Sequence, residues 1–248
     1  MNCRATREVY MARALLSISI LIIAFLDVSE VGFGWQSPLS PVLVSFQTKD
    51  GGLIYANLYG NGKKGVVLAH GGRFNKESWD AQARELANAG YCVLAIDFRG
   101  YGKSKGPGDS DVMSAPLYQD VLAAVGYLHK GGARRVAIIG GSLGAAAGAD
   151  AAAAAGPGEI ACFIGLGNAG GNGRPEKLKV PKLFILTRDD ASGDGLRLPG
   201  FQSQYEKAPQ PKKLLILDGS AHAQFMFQTE LKGRVMREIL NFLADNMK

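Results

Sequence analysis

Short apolar runs alternate with amphipathic segments along most of the chain. Unbroken apolar or β-rich runs predict strands at residues 42–47, 53–59, 65–70, 91–96, 135–139, 160–166, 182–187 and 213–217. Apolar positions at helical spacing predict helices near residues 79–87, 117–130, 143–155 and 231–243. Unbroken apolar strands that alternate with helices are typical of a parallel sheet covered on both faces. The pattern therefore predicts an α/β fold.

The first 34 residues have a different pattern from the rest. Arg4, Arg7 and Arg13 precede a mostly apolar run at residues 14–26. A basic flank followed by about 13 apolar residues is typical of a secretory signal peptide, whereas a spanning helix needs roughly 20. We therefore expect residues 1–34 to be a leader and 35–248 to be one domain of a secreted or periplasmic protein. Alternatives are a membrane anchor at residues 14–26 and a core helix. We expect no stable membrane span after leader cleavage.

Composition narrows the range of functions. With 47% hydrophobic and 20% charged residues, the chain can bury a core, which excludes disorder as its main state. The net charge of +6 comes without a dense basic run, so we expect no nucleic-acid partner. The three cysteines form no C-x-x-C pair and the chain has three histidines, so we expect no metal site. This leaves a small molecule as the expected partner.

One motif indicates nucleophilic chemistry. Gly140, Ser142 and Gly144 form a G-x-S-x-G pattern between the strand at 135–139 and an alanine-rich helix. In strand–turn–helix context, this pattern places a serine hydroxyl on a strained turn above the sheet. The N–H of Leu143, at the start of the helix, would face developing negative charge. The alternative interpretation is a glycine-rich loop that only lets the helix pack closely.

A nucleophilic serine needs a base and a carboxylate that orients the base. His129 lies on a predicted helix and His70 at the end of an early strand, so His222, after the last strand, is our predicted base. The acid should follow the strand at 182–187, where Asp189 and Asp190 are the candidates. We favour Asp190, because the acid usually lies a few residues past the strand.

The segment after the strand at 65–70 is rich in glycine. We predict that the Gly72 N–H is a second oxyanion donor beside Leu143, and that His70 braces this loop. Arg73 is a candidate for binding an anionic substrate group, with a solvated surface charge as the alternative. Phe74 is a candidate for an apolar substrate wall, with core packing as the alternative.

A glycine pattern at residues 165–170 matches G-x-G-x-x-G after a strand, which in other proteins binds a dinucleotide. That interpretation needs a helix next, but glycine- and proline-containing sequence leads directly to the strand at 182. We therefore expect no cofactor.

Together these segments resemble the α/β-hydrolase family over residues 42–246. The matching pieces are residues 70–72, 97–104, 140–144, the Asp190 loop and 219–222. The resemblance implies a mostly parallel eight-stranded sheet with helices on both faces and a Ser142–His222–Asp190 triad. It also implies that residues 97–104 form a structural turn after the fourth strand. Only about 15 residues join Leu166 to Lys182, so we expect no large lid there and an open site. Residues 191–210 are the alternative source of a cap.

The resulting hypothesis is a serine hydrolase that cleaves carboxylic esters of small or medium size through an acyl-enzyme. The alternatives are a serine peptidase or thioesterase, which use the same groups, and a non-catalytic binding protein that has kept the fold.

Overall fold

An eight-stranded sheet lies at the centre of the computed structural model, which describes residues 40–168 and 174–248. The strands are β1 (Val42–Gln47), β2 (Leu53–Tyr59), β3 (Lys64–Ala69), β4 (Tyr91–Ile96), β5 (Arg135–Gly141), β6 (Cys162–Leu166), β7 (Lys182–Thr187), β8 (Ala191–Ser192), β9 (Gly195–Leu196) and β10 (Lys212–Leu217). The spatial order in the sheet is β1-β2-β4-β3-β5-β6-β7-β10. The β1–β2 and β2–β4 pairs are antiparallel and the other pairs are parallel, while β8 and β9 form a separate hairpin.

Helices cover both faces of the sheet. They are α1 (Asp80–Asn88), α2 (Leu117–Lys130), α3 (Leu143–Ala154), α4 (Leu198–Lys207) and α5 (Lys232–Asn246). One core layer contains buried residues of α2, α3 and α4, and the other contains those of α1 and α5. Because the parallel strands are buried on both sides, they carry unbroken apolar runs. The predicted α/β class, with its mostly parallel eight-stranded sheet, is confirmed.

Helix α3 packs unusually close to the centre of the sheet because its residues are small. A Cβ on Gly148 would lie 2.9 Å from Ile138 Cγ2 and 3.0 Å from Phe163 Cε2. Ala145 and Ala151 are fully buried on the same helix. This close packing fixes the start of α3, and therefore Ser142, at the carboxyl end of β5.

A buried ion-pair network anchors the turn at residues 97–104. The Arg99 side chain is fully buried, and its Nε and Nη2 donate to Asp120 Oδ1 at 2.9 and 2.6 Å. Its Nη1 donates to Asp50 Oδ2 at 2.6 Å, and this pairing lowers the pKa of Asp50 to about 2. Ser104 Oγ accepts the Tyr55 N–H at 2.9 Å. These contacts join the turn to α2 and to the β1–β2 region, in line with the structural role expected for it.

The clearest differences from the predicted elements lie in residues 191–210. There the structure has the β8–β9 hairpin and α4, neither of which the apolar pattern predicted as a defined element. Phe201 of α4 is 5% exposed and packs edge-on against Phe184 of β7, with ring centroids 5.9 Å apart. Helix α4 therefore packs against the sheet through Phe201. Strand ends elsewhere shift by one or two residues.

The predicted leader at residues 1–34 lies outside the described residues. None of the helices in residues 40–168 and 174–248 has the length and apolar character needed to span a bilayer.

Candidate active site

Ser142 lies on a strained turn between β5 and α3. Its φ of 52° and ψ of −110° place a non-glycine residue in a region that costs about 1–3 kcal/mol. The turn requires glycine on both sides. A Cβ on Gly140 would lie 2.3 Å from the Gly144 carbonyl oxygen, and one on Gly144 would lie 2.1 Å from that of Ala69. The geometry is therefore the strand–turn–helix arrangement that the G-x-S-x-G pattern predicted.

Three side chains from distant parts of the chain meet at this turn. His222 Nε2 lies 2.8 Å from Ser142 Oγ, and His222 Nδ1 lies 2.7 Å from Asp190 Oδ2. Asp190 is 1% exposed and His222 is 24% exposed. An ionised carboxylate only accepts hydrogen bonds, so in the neutral imidazole the proton sits on Nδ1 and Nε2 is free to accept the serine proton. Asp189 is exposed, and of the two candidate acids only Asp190 contacts His222.

Backbone contacts fix the loop that carries His222. Thr187 Oγ1 donates to the Ala221 carbonyl at 3.0 Å. A Cβ on Gly167 would lie 3.0 Å from His222 Cε1, so the end of β6 closely approaches the imidazole. Ala223 has a φ of 49°, which is a second strained residue at this edge of the sheet. The loop therefore holds the imidazole in one place instead of leaving it in solvent.

The residues of the two predicted oxyanion donors, Gly72 and Leu143, are neighbours at the same cavity. Leu143 is the first residue of α3, and the first N–H groups of a helix have no acceptor within it. A Cβ on Gly72 would lie 3.6 Å from Leu143 Cδ2, and both residues line the same cavity as Ser142. Tyr101 Oη donates to the Gly72 carbonyl at 2.8 Å, which holds the loop in place.

The chain matches a known protein family. The family described as the alpha/beta hydrolase fold matches residues 65–230, which is most of the chain. The chain belongs to this family. Membership supports a hydrolase enzyme, as predicted.

Solved structures of other proteins share this fold, although their sequence identity to this chain is low. An esterase from Pyrococcus furiosus has a TM-score of 0.72 at 20% identity, over 85% of this chain and 94% of that chain. An epoxide hydrolase from Vigna radiata has a TM-score of 0.65 at 16% identity, over 83% of this chain and 99% of that chain.

Curated relatives match only over part of their length. A non-heme haloperoxidase from Rhodococcus erythropolis is 31% identical over 147 residues, which cover 58% of this chain and 47% of that protein. Epoxide hydrolase A from Mycobacterium tuberculosis is 40% identical over 80 residues, or 32% of this chain and 24% of that protein. The match therefore spans less than half the length of these relatives.

In this α/β hydrolase, His70 has a bracing position. Its Nε2 accepts the Phe98 N–H at 3.3 Å, so Nδ1 carries the proton and donates to the Gly71 carbonyl at 2.9 Å. The ring packs against Tyr101 with centroids 4.6 Å apart. Burial lowers the pKa of His70, which favours the neutral ring that this pair of hydrogen bonds requires.

Sequence analysis missed Gln224, which links the two sides of the site. Its buried side chain accepts the Gly71 N–H through Oε1 at 2.6 Å and donates through Nε2 to Ser78 Oγ at 2.9 Å. Gln224 follows His222 by two residues, so one short segment holds both the imidazole and the loop of Gly72. Because the contact with Gly71 spans 153 residues, no local pattern could have revealed it.

An open cavity of about 380 Å³ adjoins Ser142 and His222. Its apolar walls include Phe74 and Phe225, whose ring centroids are 4.8 Å apart. Arg73 also lines the cavity, is exposed, and has no ion-pair partner among residues 40–168 and 174–248.

Within the described part of the chain, no cluster of three or more His, Cys, Asp or Glu side chains could hold a metal ion. Cys162 is buried, and burial raises the pKa of its thiol to about 12, so it packs as an apolar residue. The rejected glycine pattern at 165–170 lies partly outside the described residues.

Proposed function

We propose that this α/β hydrolase cleaves carboxylic esters of small or medium size through an acyl-enzyme on Ser142. The observation that carries the proposal is the pair of short contacts at His222, 2.8 Å to Ser142 Oγ and 2.7 Å to Asp190 Oδ2. A nucleophile in contact with a base that a carboxylate orients is the arrangement that acyl transfer needs.

In the proposed reaction, Ser142 Oγ attacks the ester carbonyl carbon while its proton passes to His222 Nε2. Asp190 stabilises the imidazolium that forms. The carbonyl electron pair moves to the oxygen, where the N–H groups of Leu143 and Gly72 stabilise the negative charge. The intermediate collapses as the C–O bond to the alcohol breaks and the imidazolium protonates the leaving oxygen.

Water then completes the cycle. It takes the place of the alcohol and attacks the acyl-enzyme carbonyl while His222 accepts its proton. Collapse releases the carboxylic acid and returns the proton to Ser142 Oγ. No cofactor is needed for either half of this reaction.

The cavity supports a modest acyl group. Its volume of about 380 Å³ lies at the lower end of the usual range for small-molecule pockets. Phe74 and Phe225 offer an apolar wall to an acyl chain, and Arg73 at the rim offers a charge to an anionic substituent.

The identity of the nucleophile, Ser142, argues against epoxide hydrolysis by the same route. Attack of a serine oxygen on an epoxide carbon would give an ether, which water does not cleave under mild conditions. An ester carbonyl instead gives an acyl-enzyme that water can release. The strained backbone at Ser142 also argues against a non-catalytic binding protein, because such strain is characteristic of functional sites.

Turnover of nitrophenyl esters by the full chain and by Ser142→Ala tests the proposal. We expect hydrolysis of the acetate and butyrate esters, and a loss on the order of 10⁶ in rate in the variant. Ser110→Ala, which changes an exposed serine, is the matched control and should keep full activity. Parallel assays with amides and thioesters rank the other acyl substrates. Turnover of amides alone would reject the esterase assignment.

We further propose that the protein is exported, on the basis of residues 1–34. Mass spectrometry of the chain from its native host should find a mature N-terminus near residue 35. An intact residue 1 on a membrane-bound protein would support the anchor instead.

A further inference from the structure

Asp190 has an unusual environment for a buried carboxylate. Its Oδ2 contacts His222, but its Oδ1 is also buried and has no hydrogen-bond partner among the described residues. Buried carboxylate oxygens are normally satisfied, because an unpaired one loses its hydration without compensation. A buried Oδ1 without a hydrogen bond is therefore unusual for an ionised carboxylate.

The nearest cationic group comes from the hairpin that follows Asp190. Arg197 Nε lies 3.3 Å from Asp190 Oδ1, close enough for an ion pair although it does not meet hydrogen-bond geometry. The Arg197 backbone N–H also donates to the Asp190 carbonyl at 2.8 Å. The same residue thus contacts Asp190 through both its backbone and its side chain.

The β8–β9 hairpin is built to return the chain to this point. Ala191 pairs with Leu196 and Ser192 pairs with Gly195, which brings residues 190 and 197 opposite each other. Gly195 has a φ of 103°, a conformation that glycine adopts readily and that closes the short turn. The hairpin therefore fixes the backbone position of Arg197 beside Asp190.

The Arg197 side chain also borders the reaction site. It lines the cavity of Ser142 and a second, more polar cavity of about 310 Å³ beside the hairpin and α4. It is 39% exposed, so water reaches it from the cavity side. Among the described residues, Arg73 also lines the cavity of Ser142 and Asp194 lines the second cavity.

We propose that Arg197 is a positioning residue that holds Asp190 Oδ1, so that Oδ2 stays aimed at His222 Nδ1. This inference rests on the proposed esterase function.

Kinetics of Arg197→Gln and Arg197→Lys test the proposal with a neutral ester and a carboxylate-bearing ester. We expect Arg197→Gln to lower kcat by between about 10-fold and 100-fold for both esters, with little change in KM. Arg197→Lys keeps a cation at this position and should restore part of kcat.

Arg188→Gln is the matched control. Arg188 lies in the same loop but pairs with the exposed Asp218 at 3.4 Å, so its loss should not change kcat. Circular dichroism and thermal melting of each variant show that the fold is intact.

A second readout does not depend on turnover. The chain has three histidines, so ¹⁵N-histidine NMR resolves each ring, and His222→Asn assigns the signal. We expect the Nδ1 proton of His222 to be sharp and far downfield in the wild type, weakened in Arg197→Gln and unchanged in Arg188→Gln.

Two results would overturn the proposal. One is an Arg197→Gln variant with unchanged kcat and an unchanged Nδ1 signal. The other is a rise in KM confined to the carboxylate-bearing ester, which would make Arg197 a substrate-binding residue instead. A wild type that turns over no ester would reject the proposed function, and the NMR measurement would then decide the role of Arg197.

Discussion

Among residues 40–168 and 174–248, two buried carboxylates have arginine neighbours, and they differ in how completely they are hydrogen-bonded. Asp120 accepts from Arg99 Nε, Nη2 and backbone N–H at 2.9, 2.6 and 3.0 Å, and both side chains are fully buried. Asp190 has one oxygen bound to His222 and the other without a hydrogen bond. Its arginine neighbour, Arg197, is 39% exposed.

In the proposed mechanism, the Asp120–Arg99 pair is structural and the Asp190–Arg197 pair serves catalysis. A fully bonded buried ion pair locks two elements together, and its loss leaves an uncompensated charge. A carboxylate oxygen without a hydrogen bond can still accept one when a neighbouring group changes charge. We therefore expect changes at Asp190 to affect rate and changes at Asp120 to affect stability.

The largest expected effect is on rate, in Asp190→Asn. The amide cannot stabilise the imidazolium and can favour the wrong imidazole tautomer, so kcat should fall by about 10⁴. Thermal melting should change little, because one carboxylate oxygen of Asp190 already lacks a hydrogen bond from the described residues in the wild type. Asp189→Asn changes the exposed neighbour and should leave kcat intact. Equal losses in both variants would contradict the assignment of the acid.

The next effect is on stability, in Asp120→Asn. Removing this charge leaves the buried Arg99 with only the partly exposed Asp50, so the free energy of unfolding should fall by about 3 kcal/mol. Urea denaturation measures this loss. Asp245→Asn, at an exposed position on α5, should stay within about 0.5 kcal/mol of the wild type. A stable Asp120→Asn with reduced kcat would reverse the comparison.

A change at Gln224 should affect both kcat and the free energy of unfolding. In Gln224→Ala the Gly71 N–H loses its buried partner, which costs about 1–3 kcal/mol of stability and loosens the loop of Gly72. We expect kcat to fall roughly 10-fold. Loss of one oxyanion donor lowers kcat by about 10²–10³, and in this variant the Gly72 N–H is displaced but still present. Gln224→Glu keeps the acceptor and should recover part of kcat. Gln228→Ala, an exposed glutamine in the same segment, is the control.

The smallest effect concerns the acid limit of stability. Pairing with Arg99 lowers the pKa of Asp50 from 3.8 to about 2. The folded state thus favours the ionised form, so this stabilisation is present above pH 3.8 and is lost as the pH falls towards 2. Asp50→Asn should cost about 1 kcal/mol at neutral pH after allowance for solvent screening, and much less near pH 2. Urea titrations at both pH values measure it. A loss independent of pH would show that the charge is not responsible.

Local patterns were sufficient to predict the sheet and to select Ser142 and His222, whose side chains the structure brings together. Ser142 was predictable because glycines two residues away on each side signal a strained turn after a strand. His222 followed because the other two histidines occupy a helix and an early strand end. Asp190 and Asp189 could not be separated with certainty by spacing, since adjacent residues point in different directions and only the folded loop selects one of them.

The rest depends on contacts that sequence order does not encode. Helix α4 contains Pro199 and Gly200, which weaken its helical pattern, yet packing of Phe201 against β7 stabilises it. Gln224 and Gly71, like Arg99 and Asp50, lie far apart in sequence and meet only because the sheet brings their loops together. The leader at residues 1–34 stays a prediction.

Covalent labelling of the active nucleophile tests the central claim most directly. The full chain would be treated with a fluorophosphonate, digested and mapped by mass spectrometry. Our account predicts one adduct per chain, on the peptide that contains Ser142, with slow labelling in His222→Ala and none in Ser142→Ala. An adduct on another serine, or an ester-hydrolysing enzyme that the reagent neither labels nor inhibits, would contradict it.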